Sequence, residues 1–216
     1  MAGLLCPLPA LVPIGRDERG LVLLDLEAAG VTSLVGAPED VAPVMAWIVT
    51  ELALSSWPDY LHVTLVGFGD RLASLDPERL DVVATLDDAR LGASAAQVTA
   101  PHCVGDDPVL RSRITSGGVE ATMPEVLVLP GAPDEPLCQL MGTMPTRKRT
   151  TLSVLVAGNC PEAHVSVLVR ADRTVDVPIL GLTLHANRLE DQTAALLLEL
   201  LDSARDLTDV PLVIRH

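Results

Sequence analysis

VTSLVGAPEDVAPVMAWIVTELAL, residues 31–54, decides how this chain is read. Val31 to Val35 is a short apolar run between two glycines, the pattern of a buried strand. Gly36 makes a turn. From Asp40 to Leu54, Val41, Val44, Met45, Ile48, Val49 and Leu52 recur at helical spacing, so one face of a helix packs on a sheet. Asp40 stands where a helix cap belongs. Strand, glycine turn and helix in that order are the frame of a phosphate-binding loop, whose chemistry needs G-x-x-x-x-G-K-[ST]. Counted from Gly36, Val41, Ala42 and Pro43 occupy the places of the second glycine, the lysine and the hydroxyl. No lysine reaches a phosphate from there and no hydroxyl ligates magnesium. Proline also removes a backbone donor. The expectation is a nucleotide-binding frame without its chemistry: not an enzyme, no cofactor, no metal.

Composition narrows the partners. The chain has 216 residues, 49% of them hydrophobic but only 2% aromatic. A core of Val, Leu, Ala and Ile is therefore expected, and the stacking platforms of nucleic-acid modules are scarce. A net charge of −14 repels nucleic acid at long range, so no direct contact with it is expected. Lys148 is the only lysine among fifteen basic residues. Cys6, Cys103, Cys138 and Cys160 form no C-x-x-C and are read as buried thiols in a reducing cytoplasm. The opening MAGLLCPLPALVP lacks a basic start and is broken by prolines, so it reads as neither signal peptide nor span. No other stretch approaches ~20 uncharged apolar residues, and no membrane insertion is expected.

Apolar runs elsewhere set the organisation. Leu11–Ile14 and Leu21–Leu26 flank a polar, glycine-bounded turn and read as a β-hairpin. Leu61–Phe68, Asp81–Ala84, Glu125–Leu129 and Thr151–Ala157 read as strands. Leu86–Val98, Glu135–Met144 and Leu189–Ala204 read as helices, the last with Leu196, Leu197, Leu200 and Leu201 on its apolar side. Residues 99–123 hold no sustained period, with a short helix or strand at Val109–Ile114. Ala163–Arg170 and Val175–Ile179 form a second hairpin, which Leu180–His185 extends. Continuous apolar strands alternating with helices argue for an α/β fold, a mainly parallel sheet covered on both faces. Residues 1–216 are expected to be one domain. Its parts are an N-terminal hairpin (10–27), a core (31–160), a second hairpin (163–185) and a C-terminal helix (189–204).

A likeness to a family enters with particular phrases. Ile14-Gly15, Asp17, Gly20, Asp25-Leu26 and Gly36 match the segment that enters the nucleotide loop of FtsK/SpoIIIE-type motor ATPases, which the chain resembles. LHVTLVGFGDRLASLD is similar to the next motor strand, with Gly67-Phe68-Gly69 in place of Asp-Pro-Lys. EVLVLPGAPDE sits where the motors carry a Walker B strand. Here Pro130-Gly131 ends the strand, and Asp134-Glu135 comes later. TLSVLVAG is similar to the sensor strand. Leu23-Leu24-Asp25-Leu26-Glu27, Trp57 and Val63–Phe68 also resemble a degenerate version of this domain. That version stands in actinobacterial proteins combining membrane helices, a LysM module and a bacterial-transcriptional-activator (SARP-like) part. The resemblance implies a RecA/FtsK-like core and a non-catalytic, cytoplasmic pseudo-ATPase domain. It would belong to a regulator of transcription or of the envelope, its parent membrane-tethered and any DNA contact made elsewhere. Two alternatives stand beside it: a divergent nucleotide-binding protein, and an inactive partner subunit of an FtsK-like motor, with homo-oligomers possible.

The remaining polar groups read mostly as structure. Gly36 to Asp40 offers a helix N-terminus, but Glu39 and Asp40 already place negative charge at its dipole. Asp134-Glu135, Asp87-Asp88 and Glu190-Asp191 read as helix starts. Arg147-Lys148-Arg149, the only basic cluster, is either a solvated loop or a contact for an anion or an acidic protein partner. His102-Cys103 lacks an orienting acid. His62 lies inside a strand. Trp57 before Pro58 is a packing anchor or, if exposed, a candidate interface hot spot.

Overall fold

The apolar runs assemble into one sheet, in a computed structural model that describes residues 6–58, 60–89, 107–114, 123–146 and 148–205. Its strands are β1 (Leu11–Asp17), β2 (Gly20–Asp25), β3 (Val31–Val35), β4 (His62–Val66), β5 (Leu80–Val83), β6 (Glu125–Leu129), β7 (Leu152–Ala157), β8 (Val165–Val169), β9 (Thr174–Val177) and β10 (Leu182–Ala186). The α-helices are α1 (Leu26–Ala29), α2 (Pro38–Leu54), α3 (Pro108–Ile114), α4 (Glu135–Thr143) and α5 (Asp191–Arg205). The sheet order is β2-β1-β10-β9-β8-β3-β7-β6-β4-β5. From β8 to β5 all neighbours are parallel, with β3 inserted between β7 and β8. The parallel part therefore leaves β3 for β4, steps out to β5, returns through β6 to β7 at one side of β3, and closes with β8 at its other side.

Alternation along each strand divides the core. Leu34, Val63, Leu65, Val126, Val128 and Leu155 face one way, under Val44, Ile48 and Leu52 of α2. Val31, Leu127, Leu129, Val154 and Val156 face the other way, under Leu137 and Met141 of α4. Helices thus cover both faces, as runs of apolar strand residues require.

Several boundaries differ from the sequence reading. α2 starts at Pro38, not Asp40: proline at the first helical position loses only a donor that would be free there anyway. Ala37 is the N-cap, and Asp40 pairs with Arg188 at 3.4 Å instead. Leu86–Asp88 is a 3₁₀ turn capped by Thr85 and Asp88, and residues 90–98 of the expected helix lie outside the described residues. Val109–Ile114 is helical, within α3. On α5 the core contacts are Leu198, Leu197 and Leu201, while Leu196 and Leu200 face solvent, because the packed stripe runs through 197, 198 and 201.

The larger difference is at the two ends. β8 is both the last parallel strand and the first arm of the second hairpin. The two hairpins add to the parallel core by pairing with each other. β1 pairs antiparallel with β10 at Gly15↔Ala186 and Arg16↔His185, so β9-β10-β1-β2 continues the parallel sheet. Gly15 permits the approach, since a Cβ there would lie 2.6 Å from the His185 carbonyl oxygen. Trp47 Nε1 donates to the Pro13 carbonyl at 2.9 Å and ties this extension to α2.

At the opposite end of β3, a charged cluster is buried. Asp25 caps α1, accepting from the Ala28 amide at 3.2 Å. Glu27, fully buried, accepts from Arg113 Nη1 and Nη2 at 2.5 and 2.6 Å. Arg149 bridges Asp25 (2.6 and 2.9 Å), Glu27 (3.3 Å) and Asp107 (3.1 Å). Burial pushes the Glu27 carboxyl up, against the pull of Arg113 and Arg149. Removing one member of a buried pair costs about 3–5 kcal/mol, whereas apolar replacement of both is often neutral. Glu27→Ala is therefore expected to lose about that much in urea unfolding, and Glu27→Leu combined with Arg113→Met to recover most of it.

Candidate functional site

The candidate site is the crevice beyond the carboxyl ends of the parallel strands, where open α/β sheets place their ligands. Gly36 and Ala37 are the whole connection from β3 to α2. Gly36 lies against β8, where a Cβ would meet the Val169 carbonyl oxygen at 2.5 Å. Ala37 caps α2 with no side-chain hydrogen bond. The two-residue connection carries the chain straight into the helix, and Val41, Ala42 and Pro43 lie within α2. Val41 and Pro43 are buried, and Ala42 is exposed. The Pro43 carbonyl accepts from the Leu189 amide at 2.8 Å.

The crevice has a volume of about 310 Å³. Its walls are Gly36, Pro38, Val41, Ala42 and Met45 below, with Phe68, Pro130, Ala157 and Gly158 from the neighbouring strand ends. Among the described residues no charged side chain lines it. The glycine at 158 takes φ +115°, its amide donates to Leu34, and its carbonyl accepts from Ser33 Oγ at 2.6 Å, which fixes the end of β7 against β3. At the end of β6, Pro130 follows the strand directly. Asp134 is the N-cap of α4, accepting from the Leu137 amide at 3.1 Å, and Glu135 begins that helix.

The basic triplet does not form a surface patch among the described residues. Arg149 turns inward to three carboxylates, Lys148 is half-buried, and Arg147 lies outside the described residues. His102 and Cys103 also lie outside them. His62 Nε2 is 3.3 Å from Asp81 across β4 and β5. Glu190 pairs with Arg188 at 3.2 Å. Cys160 is buried and Cys138 and Cys6 half-buried; burial pushes the Cys160 thiol up. No group of three or more His, Cys, Asp or Glu side chains suited to a metal occurs among the described residues. No helix among them is long and apolar enough to cross a membrane. The sequence reading missed the shared cluster of Asp25, Glu27, Asp107, Arg113 and Arg149. Its one visible signal was LDLEAAG, acids amid apolar residues.

No protein-family model and no curated protein matches the sequence. Solved structures do resemble the fold. The pCW3 conjugation coupling protein TcpA, in its monomer form with ATPγS, superposes with a TM-score of 0.57 and 12% identity over 89% of this chain and 71% of that one. Thermomonospora curvata EccC (ATPases 2 and 3), in complex with a signal sequence peptide, gives 0.58 and 15% over 84% and 41%. EssC (ATPases 2 and 3) from Geobacillus thermodenitrificans gives 0.52 and 15% over 84% and 42%. The chain thus spans less than half of the EccC and EssC structures. The fold is α/β, a mostly parallel sheet with helices on both faces, and it is that of the FtsK-like P-loop ATPases.

Adjacent substitutions at the connection are expected to act in opposite directions. Gly36→Ala drives a Cβ into the backbone of β8 and should cost about 1–3 kcal/mol. Ala37→Ser adds the missing cap and should gain about 0.5–2 kcal/mol. Thermal midpoints check both, at about 2–4 °C per kcal/mol for a domain of this size.

Proposed function

We propose that the chain is a non-catalytic, ATPase-like scaffold or protein-interaction domain. The observation that carries this reading is the two-residue β3–α2 connection beside an apolar crevice. A phosphate loop wraps its ligand with backbone amides and brings a lysine and a hydroxyl to it. In this chain Val41, Ala42 and Pro43 stand in the helix, and Pro38 and Pro130 lack amide hydrogens. Glu39 and Asp40 in the first turn of α2 oppose an anion. Fold likeness alone does not confer activity. The bacterial transcription- or envelope-linked context rests on the phrases around Leu23–Glu27 and Val63–Phe68. Any nucleic-acid contact of a larger assembly would fall to another part, given the net charge of −14.

The test is the thermal midpoint with and without millimolar ATP or ADP and magnesium. No shift is expected. A ligand at 100 times its Kd would add about 2.7 kcal/mol, which is several degrees here. Such a shift would replace the scaffold reading with that of a divergent nucleotide-binding protein. A ring-sized assembly in sedimentation, with no nucleotide shift, would instead favour an inactive subunit of a motor.

A further inference from the structure

β2 ends the sheet, and its outer edge has no strand partner among the described residues. Such an edge is a template for another chain unless it is blunted by charge or proline. β5, at the far end, carries Asp81 within its four residues. β2 reads GLVLLD and has neither charge nor proline before Asp25. Leu21 and Leu23, two residues apart and so on one face, are 57% and 42% exposed. Across from them the end of α2 presents Leu54 and Trp57, 43% and 60% exposed. These four residues line a groove of about 360 Å³. They are four of the eleven exposed large hydrophobic residues among the described residues, so apolar exposure is concentrated here rather than scattered.

Inside the groove stands one charge. Glu51 is half-buried, and its carboxylate has no ion-pair or side-chain hydrogen-bond partner among the described residues. Burial pushes that carboxyl up. An acid held in an apolar groove favours an occupant that brings a cation.

We propose that the free edge of β2 and this groove are the docking site for an extended segment of another protein, with alternating apolar side chains and one Lys or Arg set against Glu51. The segment adds a strand to β2 through main-chain hydrogen bonds. Alternate side chains enter the groove between Leu21, Leu23 and Trp57. A second copy of this chain is disfavoured, since it would bring a further charge of −14 and a second Glu51. This inference rests on the interaction part of the proposed function and not on the loss of nucleotide chemistry.

The test uses the full chain and a capped octapeptide of alternating valine and threonine with one arginine. Amide hydrogen exchange across residues 20–25 is read with and without the peptide. Slowed exchange is expected. Glu51→Gln should weaken binding about tenfold, as loss of a charged hydrogen bond does. Trp57→Ala should weaken it as well, with an unchanged thermal midpoint showing that the variant is folded. The same peptide with glutamate for arginine should fail to bind. Equal binding of the two peptides, or no protection at millimolar peptide, would overturn the proposal. So would slow exchange at β2 in the chain alone, or dimerisation through β2, because the edge would then be already filled. Peptide binding together with an ATP-induced thermal shift would sustain this surface while overturning the nucleotide-free reading.

Discussion

Glu27 is where three otherwise separate parts of the chain are joined. Its carboxylate accepts from Arg113 of α3 and from Arg149 ahead of β7, and its carbonyl accepts from the Thr150 amide at 3.1 Å. The N-terminal hairpin runs directly into it through Asp25, which Arg149 also holds. Fully buried charge is tolerated only when it is paired and hydrogen-bonded, and desolvation then absorbs most of the Coulombic gain. Its contribution is therefore placement more than net stability. It sets β3 and β7 side by side from their amino ends, so that their carboxyl ends meet at the crevice.

At those carboxyl ends the geometry is fixed by small residues and prolines. Gly36 touches the backbone of β8, Gly158 holds the end of β7 in a conformation that L side chains rarely adopt, and Pro38 starts the helix at once. A phosphate loop needs extra backbone between strand and helix to curl around its ligand. A two-residue connection has no room for that curl, so a lysine introduced at one position would not by itself make a cradle. The sheet order thus stands here with a two-residue connection between β3 and α2, and a fold by itself does not fix a chemistry.

The parallel core was legible because its strands are short apolar runs bounded by Gly and Pro, as at Val31–Val35 and Glu125–Leu129. Period and composition report burial, and burial on both faces means a covered parallel sheet. Pairing between distant segments leaves no such local trace. Nothing near Gly15 announces Ala186, and so the meeting of the two hairpins was invisible. Arg149 was misleading for a related reason: in sequence it belongs to a basic triplet, but its environment is made by Asp25 and Asp107, 124 and 42 residues away. On α5, five leucines in the six positions 196–201 could not say which stripe faces inward, because packing on the distant 3₁₀ turn at Leu72–Leu75 decides it.

With four aromatic residues, the chain packs its centre from aliphatic side chains, and the aromatics are left for edges. Trp47 fastens the antiparallel extension to α2 through a half-buried indole hydrogen bond. Phe68 walls the crevice at the strand ends. Trp57 and Tyr60 are 60% and 50% exposed just past α2. An exposed indole is costly to hydrate and gains most from being covered, which is why such side chains dominate protein interfaces. Phe68 and Trp57 thus mark two distinct surfaces. The crevice is lined by uncharged side chains and bounded by glycine and proline, so it offers an anion no cationic partner. The groove beside β2 bears a carboxylate and adjoins a strand edge with no partner among the described residues, which suits a polypeptide. The proposed protein contact therefore falls at the edge of this sheet rather than at the crevice beyond its strand ends.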